Sequence, residues 1–170
     1  MQNAVYKHPE PAALTLFTMV NNSSGTGAYA SLMINASQWV IFDPKDTFGH
    51  VHLPEKEDVI YGITPVLEDF YVRAHARKTH HLVIQKRIVA PEVAEQALQL
   101  ALAHGAVNSA ECSLQTSQLL TSLPGFEALP ISLFPNRLRS AFGALGGVSE
   151  EFLHEYDEAD NSKALRAYVP

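Results

Sequence analysis

The run Leu14-Thr15-Leu16-Phe17-Thr18-Met19-Val20 offers apolar side chains to both sides of an extended chain. A strand of that kind implies a buried, central place in a sheet, and the rest of the sequence can be arranged around it. The loop Asn21-Asn22-Ser23-Ser24-Gly25-Thr26-Gly27 ends this strand. Ala30 to Ile34 and Trp39 to Phe42 then read as an antiparallel hairpin across the short polar link Asn35 to Gln38, closed by Asp43-Pro44. Val59 to Tyr61 predicts a short strand and Leu82 to Val89 a longer one.

Between and after these strands lie helix signals. Thr64-Pro65 supplies a capping hydroxyl followed by proline at the first helical position, with Glu68 and Asp69 early, and predicts a helix to about Ala76. Pro91 opens a second, whose stripe Ala94, Ala97, Leu98, Ala101 and Leu102 recurs at helical spacing until His104-Gly105. A third stripe runs through Cys112, Thr116, Leu119, Leu120 and Leu123 to Pro124-Gly125, and Pro135 begins a fourth helix to about Leu145. Phe152 to Tyr156 is expected to form the last strand, and Lys163 to Tyr168 a short helix in an acidic tail. Strands and helices intermix without internal repeat or linker, so the expectation is one α+β domain over residues 1–170, with 1–12 flexible and 157–170 a tail.

Composition narrows the function. With 170 residues and 46% hydrophobic content the chain can fill one core. Its net charge of −6, with scattered Lys and Arg, offers no footprint for a phosphate backbone, so no nucleic-acid partner is expected. No apolar run approaches the roughly 20 residues of a membrane span, and Met1 to Pro11 has no signal-peptide apolar centre, so the chain as given is expected to be soluble. Asn35-Ala36-Ser37 matches a glycosylation acceptor, a pattern common by chance.

Three candidate sites can be weighed on their residues. Gly25-Thr26-Gly27-Ala28-Tyr29-Ala30 loosely matches a dinucleotide fingerprint, but a strand hairpin follows it where the pyrophosphate-binding helix is required, so no nucleotide cofactor is expected. His50 and His52, with His80 and His81, fall short of the convergent ligands zinc needs, so no metal is assigned. Cys112, the one cysteine, stands at a helix start, where the dipole and unpaired amides favour a thiolate and could stabilise an oxyanion near Ser113. The alternative is a small buried hydrophobe on an apolar stripe.

Four segments carry a resemblance: Asn21 to Tyr29, Trp39 to Pro44, Asp58 to Pro65, and Glu111-Cys112-Ser113-Leu114-Gln115-Thr116-Ser117. Together, over most of the chain, they resemble an uncharacterised family of bacterial, often lipoprotein-like proteins, itself similar to circularly permuted NlpC/P60 (papain-like) cysteine hydrolases. The resemblance implies an antiparallel sheet with helices packed on it, and a nucleophilic cysteine at Cys112. It also implies a general-base histidine where this chain has Tyr29, and a histidine after the Asp-Pro segment, which makes His50 the first substitute base and His81 the second. A phenol of pKa about 10 does not shuttle protons near neutrality as an imidazole of about 6.5 does. Two functions follow: a thiol hydrolase or acyltransferase acting through an acyl-cysteine on a cell-wall peptide or lipid acyl substrate, or a papain-like binding or structural domain without turnover. By the same resemblance the expected location is the cell envelope, with any membrane attachment made through an anchor preceding this segment.

Overall fold

Leu14 to Val20 does lie mid-sheet: strand β1 (Ala13–Asn21) pairs antiparallel with β2 (Gly27–Asn35) on one side and β6 (His80–Ile88) on the other. The computed structural model describes residues 11–44, 55–56, 59–76, 79–105 and 111–154. Within them, β3 (Trp39–Phe42), β4 (Glu55–Lys56), β5 (Val59–Ile60) and β7 (Val148–Leu153) complete a seven-stranded antiparallel sheet in the order β4-β5-β3-β2-β1-β6-β7. Four helices accompany it: α1 (Pro65–His75), α2 (Pro91–Ala103), α3 (Cys112–Thr121) and α4 (Pro135–Gly143).

Alternation along the strands sorts the core into two layers. Leu14, Leu16, Leu32, Ile34, Val40 and Phe42 face α2, α3 and α4, which contribute Leu98, Ala101, Leu119, Leu120, Leu138 and Phe142. Phe17, Met33, Trp39, Ile41 and Ile60 turn the other way onto Leu67, Tyr71 and Val72 of α1. The domain is therefore α+β, an antiparallel sheet between a three-helix layer and a single helix. Each fully buried large apolar side chain contributes about 1.5–3 kcal/mol, so the doubly covered centre of the sheet carries most of the stability.

The punctuation read from sequence explains the helix starts. Thr64 caps α1, its Oγ1 accepting from the Leu67 amide at 3.2 Å, with Pro65 behind it. Pro91 and Pro135 likewise occupy first-turn positions of α2 and α4. Several boundaries differ from expectation: β2 starts at Gly27, β6 at His80, and β4 is an added strand. The last strand is Val148–Leu153, starting four residues before the expected Phe152 because Gly147 turns the chain at φ +77° and Val148 then pairs with Arg87; residues 155 and 156 of the expected strand lie outside the described residues. Its exposed Ser149-Glu150-Glu151 carries no apolar alternation, and the strand is held by backbone pairing and by Gln85 Nε2 donating to Glu150 at 2.8 Å. Helix α4 stops at Gly143, where the Ala144 amide turns to the carbonyls of Ser140 and Ala141. The proposed helix Lys163 to Tyr168 and the tail lie outside the described residues.

No helix among the described residues is long and apolar enough to cross a membrane. Asn35 of the glycosylation pattern is buried and donates its amide to the Pro11 carbonyl at 2.9 Å, a packing role that leaves its nitrogen committed.

Candidate functional site

Tyr29, the residue standing at the expected histidine position, enters the α1 layer. Its hydroxyl donates to Asp43 Oδ2 at 2.9 Å, and Tyr71 of α1 donates to the same oxygen at 2.8 Å. Each phenol has one proton, so with both directed at Asp43, Ser31 Oγ is the donor in its 2.8 Å contact with Tyr71. The 3.2 Å separation of the two phenolic oxygens follows from their shared acceptor. His75, one turn beyond Tyr71, donates Nδ1–H to the Tyr71 carbonyl at 2.7 Å and packs its ring against Tyr71 and Tyr29 at centroid distances of 4.2 and 5.7 Å. All five residues are buried.

Electrostatics keeps the two phenols of this cluster protonated. Burial first, and then the Asp43 charge, push both phenols well above their usual range. Tyr29 is thus a neutral hydrogen-bond donor over the whole physiological range, and proton abstraction from a thiol is outside its chemistry.

Cys112 belongs to the three-helix layer. It is the first residue of α3, 5% exposed, and the preceding Glu111 makes no side-chain cap bond. Gln115, one turn on, links this helix start to an imidazole: His104 at the end of α2 donates Nε2–H to Gln115 Oε1 at 2.9 Å, and Gln115 Nε2 donates to Glu111 at 3.4 Å. The His104 ring packs on Phe42, with centroids 5.2 Å apart. Beneath Cys112, Ser113 Oγ and Thr116 Oγ1 are buried without a hydrogen-bond partner among the described residues. Desolvating a hydroxyl without a partner costs about 1–3 kcal/mol.

The two halves share one end of the sheet. Helix α2 starts beside the β2–β3 turn, where Ser37 Oγ donates to Glu95 at 2.8 Å, and ends with His104 on Phe42, the residue before Asp43. Helix α3 therefore starts at the Asp43 end and runs back towards Gly125, whose carbonyl accepts from Arg87 at 2.8 Å. Cys112, Tyr29 and Asp43 gather at that end, the first in the layer of α2, α3 and α4 and the other two with α1.

His81 is at the same end but two strands away from Tyr29, opposite Val20. It donates Nδ1–H to Asn22 Oδ1 at 2.7 Å and stacks on His154 with centroids 4.6 Å apart. Partial burial, followed by the charges of His154, Arg139 and His80, lowers its pKa. Its contacts tie it to the β1–β2 loop. His50 and His52 lie outside the described residues. Among the described residues no group of three or more His, Cys, Asp or Glu is placed to hold a metal ion.

No protein-family model matches the chain, and searches of curated proteins and of solved structures return no match. The site thus rests on its own geometry. Sequence reasoning missed Asp43, Tyr71, His75 and His104 as members of it. Asp43 was visible only as part of a turn, Tyr71 and His75 share the buried side of α1 at i, i+4 spacing, and His104 was read as a helix end.

Proposed function

We propose that this chain is a papain-like binding or structural domain of the permuted NlpC/P60 kind, working without turnover. The observation that carries the reading is the Tyr29–Asp43–Tyr71 network: the phenol standing where the resemblance expects the general base is buried, neutral and committed to a carboxylate. A general base must reach its proton and titrate near the working pH, and Tyr29 does neither. Cys112 is then a small buried residue that packs the start of α3. The ligand class, inherited from the resemblance, is a peptide or lipid acyl group at the cell envelope.

A second reading, a thiol hydrolase or acyltransferase with Cys112 as nucleophile, is favoured by one observation. The cysteine opens its helix at the end of the sheet that holds Asp43, with no side-chain cap from Glu111, and a thiol at a helix start is the arrangement an acyl-cysteine intermediate and its oxyanion use. In that reading His50 is the base.

Iodoacetamide alkylation of Cys112 across pH, with hydrolysis assays on generic peptide and acyl-ester substrates, separates the two. The binding reading expects no rate advantage over a simple thiol near neutrality and no turnover, in wild type and in Tyr29→His alike. Turnover abolished by both Cys112→Ala and His50→Ala would sink it.

A further inference from the structure

Between α3 and α4 the chain reads Pro130-Ile131-Ser132-Leu133-Phe134-Pro135, and three of its side chains face water: Ile131 is 57%, Leu133 55% and Phe134 68% exposed. Half the large apolar side chains that stand exposed among the described residues fall in these four consecutive positions. Single exposed apolar residues are ordinary, whereas a contiguous group marks a surface that meets something apolar.

The loop is held in this pose. Ser132, pointing inward and buried, donates its amide to Ser117 Oγ of α3 at 3.1 Å and accepts the Phe134 amide on its own Oγ at 3.0 Å. Ser117 Oγ in turn donates to the Leu114 carbonyl at 2.8 Å. With prolines at both ends, the apolar side chains are presented on a pre-ordered support, which lowers the entropic cost of docking.

Charge around the loop selects the occupant. In a chain of net charge −6, Ala128 to Ser149 contains no acidic residue and has Arg137 and Arg139. Arg137 is exposed three residues after Phe134, and the first turn of α4 holds no acidic residue. Glu127, the nearest acid before the loop, accepts from the Gly125 amide at 3.0 Å.

We propose that the 130–135 loop is a membrane-docking element that inserts Ile131, Leu133 and Phe134 into the interface of an anionic bilayer, with Arg137 meeting the lipid phosphates. An apolar group beside a cationic side chain is how interfacial elements bind such surfaces, affinity following apolar area and anionic lipid content. The element does not depend on any chemistry at Cys112.

The test is co-sedimentation of the full chain with vesicles of phosphatidylcholine, with and without phosphatidylglycerol. Binding is expected on the anionic vesicles. Phe134→Ser should weaken it roughly tenfold, by the free energy of one apolar side chain, and Arg137→Gln roughly fivefold on anionic vesicles only. Because the altered side chains are exposed, their thermal melts should match wild type. Phe134→Trp should retain binding and give indole fluorescence quenched by brominated acyl chains, over the constant background of buried Trp39. No sedimentation with anionic vesicles, or equal binding by Phe134→Ser, would overturn the proposal. So would a concentration-dependent dimer that Phe134→Ser abolishes, which would assign the loop to a second copy of the chain.

Discussion

On the α1 side of the shared sheet end, Tyr29, Ser31 and Tyr71 all resolve their hydrogen bonding around Asp43; on the α3 side, Ser113 and Thr116 are buried with hydroxyls that find no partner among the described residues. The sequence supplies comparable polar groups to both sides, and burial is nearly complete in each. The difference lies in what they are asked to do. A satisfied network fixes one arrangement and contributes to stability, while unsatisfied hydroxyls carry a desolvation cost that an incoming polar group would remove. The tyrosine cluster is therefore a structural clamp, and the start of α3 is where a ligand has something to gain.

The strongest way to break this contrast is Asp43→Ala, which leaves two buried phenols without their acceptor. Each hydrogen bond to a charged group is worth about 1.5–3 kcal/mol, and urea denaturation should register a loss of about 3–5 kcal/mol; a loss below about 1 kcal/mol would show that the clamp is not one.

Alkaline titration sharpens the same point. Because the folded pKa values of Tyr29 and Tyr71 lie above the unfolded value of about 10, the unfolded state releases protons first as pH rises. Their contribution is fully present below about pH 10 and declines above it. Tyrosinate absorbance should show these two ionising only as the protein unfolds, and their ionisation within a native fold would contradict the burial.

The smallest effect is expected on the other side and with opposite sign. Thr116→Val removes a hydroxyl without a partner and keeps the shape, so it should raise stability by about 1 kcal/mol in the same urea assay. A loss would mean that the hydroxyl is used.

How much of this was legible can be judged from particular residues. Leu14 to Val20, Thr64-Pro65 and Pro91 announce their elements because apolar alternation, capping and proline act within a few residues, and Cys112 does open its helix as read. The first four residues of edge strand β7, Val148 to Glu151, escaped, since a strand with exposed faces needs no apolar pattern. Tyr29, Asp43 and Tyr71 come together from separations of 14 and 28 residues, which no local pattern encodes. The exposed Ile131, Leu133 and Phe134 read in sequence like any apolar residues, because only the fold decides which are left outside.

Gly27 gives that loop a mechanical role. A Cβ at this position would come within 2.8 Å of the Asn136 amide nitrogen and 2.9 Å of Pro135 Cβ, and Asn136 Nδ2 also donates to the Gly25 carbonyl at 2.7 Å. The β1–β2 loop and the head of α4 are thus riveted together with no slack for even a methyl group. Pro135, the residue after Phe134, thus sits directly against the first residue of β2, two positions before Tyr29, so a side chain at Gly27 would have to displace the support of the apolar loop.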